Sequence, residues 1–98
     1  MEGVLMNRVI FENQAGTRIQ VCVDISTTIS NFQIPANEQD DNTRADQGEL
    51  VTFWWRDDGN PCRQCNDGSA ACAQHSFSMP GTDIVITLGD GKWPKQTN

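Results

Sequence analysis

Positive charge is scarce in this chain. Seven lysines and arginines stand against thirteen acidic residues, and the net charge is −6 over 98 residues. Nucleic-acid binding needs a basic face that displaces phosphate counterions, and five scattered arginines and two lysines do not make one. Long apolar runs are missing too, so no segment reads as a membrane span. The opening MEGVLMNRVIFEN lacks the basic segment, apolar stretch and small-residue cleavage site of a secretory leader. The expected compartment is therefore the cytoplasm, or the cell exterior if a native leader has been removed. No stretch has a sustained helical period. The one candidate is a short helix over Ser69–His75, SAACAQH, started by Asp67 or Ser69 as a cap.

The tools of catalysis are equally thin. The chain holds one histidine. Ser76 and Ser78 sit in no nucleophile elbow, and no glycine-rich phosphate loop is present. Cys72 and His75 are sequence neighbours without a third orienting group, which is poor geometry for a nucleophile and its base. The expected role is binding rather than chemistry.

What remains is strand. Val9 and Phe11 alternate with Arg8, Ile10 and Glu12, and Gln14-Ala15-Gly16 then reads as a turn. Ile19, Val21, Val23 and Ile25 alternate with Gln20, Cys22, Asp24 and Ser26, which predicts a half-buried strand with one wet side. The two runs together predict a β-hairpin. Shorter strands are expected over 31–35, 49–56 and 82–88. Residues 36–48 are polar and acidic and read as a mobile surface loop. The expected fold is all-β: a small antiparallel β-sandwich or partly open barrel, one domain over residues 1–98. A cysteine-rich insertion over 56–81 precedes the last core strand. Exposed sheet edges in so small a domain allow a homo-oligomer.

Hydrophobic residues make up only 37% of the chain, and a lean core in a short chain calls for a staple. Three of the four cysteines and the histidine lie in PCRQCNDGSAACAQH. The spacing Cys62-x2-Cys65-x6-Cys72-x2-His75 offers two chelating pairs, and zinc takes four such ligands in a tetrahedron. A structural zinc on Cys62, Cys65, Cys72 and His75 is the first reading. It leaves Cys22 without a role, and the gap between the pairs is short for a finger. The second reading uses all four cysteines, Cys22, Cys62, Cys65 and Cys72, in two disulfides of unassigned pairing, and needs an oxidising compartment. A Cys-x-x-Cys redox motif at Cys62–Cys65, an iron–sulfur cluster, and calcium on the Asp- and Asn-rich turns rank below both.

Trp54 and Trp55 are adjacent on one strand, so their rings point to opposite faces. Parity with Val51 and Phe53 turns Trp55 inward and Trp54 outward. Trp54, joined by Trp93, is a candidate platform for a sugar, a lipid or a partner protein; the plainer reading is packing under the long loop. Three functions follow in order. The first is a binding or protein-interaction domain with a zinc-organised loop. The second is a secreted disulfide-stapled sandwich that binds carbohydrate or lipid through tryptophan. The third is a small thiol-redox or metal-dependent enzyme.

Overall fold

A computed structural model of the chain describes residues 6–56, 58–65 and 71–89. Among the described residues seven strands follow one another: β1 (Met6–Asn13), β2 (Ile19–Ile25), β3 (Thr28–Ile34), β4 (Gln39–Asp46), β5 (Leu50–Trp55), β6 (Gln74–Ser78) and β7 (Ile84–Leu88). They form two sheets, ordered β4-β1-β7 and β3-β2-β5-β6. The sheets pack face to face and do not close into a barrel. The expected all-β sandwich is the fold observed. All pairs are antiparallel except β1 with β7.

Alternation builds the core. Val9 and Phe11 of β1, Ile19, Val21 and Val23 of β2, and Val51 and Phe53 of β5 are all within 2% of full burial. Ile86 and Leu88 complete it from β7. Phe11 meets Phe53 edge-on at 5.4 Å between ring centroids. Removing each of these side chains from water stabilises the fold by about 1.5–3 kcal/mol.

The expected hairpin between the first two strands does not form, because β1 and β2 belong to different sheets. The reason lies at Asn13, which is fully buried. Its side-chain amide donates to the carbonyl oxygens of Thr17, Ile34 and Pro35 at 2.8–3.1 Å, and its Oδ1 accepts the Ala15 N–H. One side chain thus ties the β1–β2 crossing to the β3–β4 crossing. Gly89 closes the same corner. It has φ +93°, and a Cβ there would lie 2.5 Å from the Ala15 backbone.

The true hairpin is β2–β3, joined by Ser26 and Thr27 at φ 51° and 66°. A two-residue loop of that hand matches the strand twist and usually uses Asn-Gly. Serine and a β-branched threonine are strained there. Ser26 Oγ hydrogen-bonds the Glu49 carboxylate, which anchors the turn to the start of β5.

Two further expectations are corrected. Residues 39–46, expected as part of a mobile loop, form edge strand β4. The expected helix ending at His75 is not seen in its described part: residues 71–73 are irregular and β6 begins at Gln74. Residues 66–70 and Trp93 lie outside the described residues.

Candidate functional site

The face of β2 expected to be wet is covered. Gln20 is 6% and Cys22 1% exposed. Above them lies the insertion. Gly59 approaches β2 so closely that a Cβ would stand 2.7 Å from the Arg18 carbonyl oxygen, and its φ is +82°. A single 3-10 turn over Arg63–Cys65 follows. It drops Cys65 onto Cys22, S–S 2.07 Å, while Cys62 joins Cys72, S–S 2.11 Å. The Gln64 side-chain amide donates to the Cys72 carbonyl at 3.1 Å. Trp54, directly across from Cys22 on β5, is sealed beneath this layer with 9% of its surface exposed.

The zinc reading is overturned. All four sulfurs are in disulfides, and among the described residues no group of three or more His, Cys, Asp or Glu side chains could hold a metal. The strand period explains why His75 does not join the cysteines. His75 pairs with Phe53, a core-facing residue, and its ring lies 5.1 Å from the Phe53 ring. Cys22 pairs with Trp54 on the opposite face of the same sheet. The two faces cannot share one ion. Burial lowers the His75 pKa from its ordinary value, which favours the neutral ring. The Cys-x-x-Cys unit is divided too: Cys62 and Cys65 bond to different partners, so neither resolves the other.

Trp54, the candidate platform, packs against Cys22, Cys62 and Cys65.

The described residues instead show a cleft that the sequence analysis did not single out. It opens where the two sheets part, between edge strands β3 and β4, and has a volume of about 490 Å³. Val23, Ile25 and Phe32 form an apolar floor. Position by position, the strands explain the opening. Ser30 stands opposite Val23, and Thr43 opposite Val9, so both occupy core-facing register. A β-bulge then sets Asp40 opposite core-facing Phe11. Hydroxyls and a carboxylate therefore fill inward positions at this edge, directly across from Val23, Val9 and Phe11. Small polar side chains cannot bridge two sheets packed about 10 Å apart, and the edge stays open.

Charge at the rim is arranged within the chain. Asp40 Oδ1 accepts the Asn42 N–H at 3.1 Å. The Arg44 guanidinium folds back onto the carbonyl oxygens of Asp41 and Thr43. Glu49 accepts from Ser26 and from the Asp46 N–H, and these bonds lower its pKa. Below the rim Arg8 ties β4 to the approach to β7, with ion pairs of 3.3 Å to Asp41 and 3.1 Å to Asp83.

Compared with known proteins, the chain matches no family model, no curated protein and no solved structure. No helix among the described residues is long and apolar enough to cross a membrane.

Proposed function

We propose that this protein is a disulfide-stapled binding domain of an oxidising, extracytoplasmic compartment, and that it holds a carbohydrate unit in the cleft between β3 and β4. The compartment follows from the disulfides. Cytosolic thiols are kept reduced, and structural disulfides persist mainly in secreted and periplasmic proteins. The cytoplasmic expectation drawn from the N-terminus gives way to that chemistry.

One observation carries the ligand class: Ser30, Thr43 and Asp40 occupy inward register at an open edge whose floor is apolar. A sugar ring has the matching character, with a C–H face to lie on Phe32 and hydroxyls to meet a carboxylate and neutral hydroxyls. Hydrogen bonds to an ionised carboxylate are roughly twice as strong as neutral ones, so Asp40 sets the orientation. The cleft volume falls within the ordinary range for small-ligand sites, about 300–1,000 Å³. An acyl chain fits less well, since it would press hydrocarbon against Asp40 and two hydroxyls and strip them of water.

Saturation-transfer NMR with a panel of neutral oligosaccharides, and a parallel titration with phospholipid vesicles, tests the assignment. The expected result is saturable saccharide binding that Thr43→Leu abolishes while the melting temperature holds. Binding to vesicles alone, or saccharide binding indifferent to Thr43→Leu, would contradict it.

A further inference from the structure

We infer that β3 is a self-association edge, pairing antiparallel with β3 of a second copy about a two-fold axis at Asn31 and joining the two four-stranded sheets into one. This stands independently of the ligand in the cleft.

The backbone of β3 leaves one side open to pairing. Ile25 and Thr28 close the two-residue turn, so residues 28, 30, 32 and 34 direct their N–H and C=O groups to β2. The backbone groups of Ile29, Asn31 and Gln33 face the other way. Among the described strands β3 pairs with β2 alone. Three donors and three acceptors thus lie in a row along an edge.

The β3 edge also lacks protection. Proteins blunt their sheet edges with charge, proline, bulges or short strands. β4 carries Asp40, Asp41, Arg44 and Asp46 and the bulge. β6 and β7 are five residues each. β3 is seven residues, TISNFQI, with no charge and no proline, and its register against β2 is unbroken. Ile29 is 56% exposed upon it. On a chain of net charge −6, an uncharged seven-residue edge lets two copies approach without direct repulsion.

β3 is, moreover, complementary to itself. With the axis at Asn31, Ile29 pairs with Gln33 of the second copy and Asn31 with its own equivalent. On the inner face Phe32 meets Ser30 twice, a large side chain beside a small one each time. Asn31 is exposed although the 3-10 turn lies near β3, so among the described residues the axis is accessible. The arrangement sets the two clefts side by side, because Ser30 and Phe32 line both the cleft and the pairing.

Sedimentation equilibrium on the intact, oxidised protein tests the inference, from low micromolar to near-millimolar concentration. The wild type is expected to dimerise, and more tightly as salt screens the net charge. Asn31→Lys and Asn31→Asp each place like charges directly opposite one another at the axis, and each is expected to weaken the dimer roughly fivefold. Mixing the two variants in equal amounts should restore association as a heterodimer. Ile29→Lys provides a second, milder block. A wild type that stays monomeric, a dimer indifferent to all three substitutions, or two charge variants that fail to recover on mixing would overturn the inference. So would a monomer whose β3 instead takes up extended peptides.

Discussion

Removing the Cys22–Cys65 bond should be the most damaging single cut in this molecule. The bond spans 43 residues, against 10 for Cys62–Cys72. In the chain-entropy account, closing the longer loop stabilises the native state by about 4 kcal/mol and the shorter by about 3 kcal/mol. The longer bond has a second role, since it is the one that fastens the insertion to the sheet. Without it the cover over Gln20, Cys22 and Trp54 is held by packing alone. A domain of this size loses about 4–8 °C in melting temperature for each kcal/mol. The Cys22→Ala/Cys65→Ala variant should therefore melt roughly 15–30 °C lower than the parent. Cys62→Ala/Cys72→Ala should melt less far below it. Far-UV circular dichroism against temperature and urea, with the parent as reference, gives both losses. A first variant that melts within about 2 °C of the parent, or a shorter bridge that proves the costlier to lose, would refute loop closure as the source of this stability.

Other expectations follow from single contacts. Asn13→Ala removes the donor to the buried Ile34 carbonyl oxygen and the acceptor of the Ala15 N–H, while the Pro35 carbonyl keeps the Glu38 N–H, and should cost about 2–3 kcal/mol, read from urea midpoints. Thr27→Gly relieves a β-branched residue at φ 66° and should raise stability by about 1 kcal/mol; an unchanged or lower melting temperature would argue against strain at the turn. Acid should destabilise the fold in two windows. Burial holds the His75 pKa below its ordinary 6.5, so the unfolded chain takes up that proton first and stability begins to fall below that pH. Ser26 and the Asp46 N–H hold Glu49 below 4.5, and the Arg8 N–H and guanidinium hold Asp83 below 3.8. Their contribution is complete above those values and is lost as pH falls further. Melting curves from pH 8 to 3 should show both declines, and Ser26→Ala should flatten the lower one.

The architecture was legible where one face is core and the other water. β2 and β5 announce themselves by alternation, and Val51, Phe53 and Trp55 are oriented as parity requires. The misreadings have physical causes. β4 reads as loop because, apart from core-buried Ala45, its inward positions line the cleft with Thr43 and Asp40, so QDDNTRAD carries no apolar stripe. The strand that was hardest to see is the wall of the candidate site, and the one sequence clue was a β-branched Thr43 among acids and amides. Gln20 and Cys22 look solvent-facing because strand alternation cannot reveal a disulfide-held loop folded back over the sheet. His75 looks like a ligand by spacing, yet a strand there rather than a helix turns it to the other face. Asn13 was invisible, since a buried asparagine serving three carbonyl groups has the same letter as one in a turn.

The account rests on two disulfides taking the place of a metal centre, and mass spectrometry of protein purified without reductant tests that most directly. Peptide mapping should recover Cys22 linked to Cys65 and Cys62 linked to Cys72, with no cysteine alkylated before reduction. The native mass should carry no metal. Four alkylatable thiols together with a native mass heavier by one zinc would contradict the stapled sandwich, and with it the extracytoplasmic role.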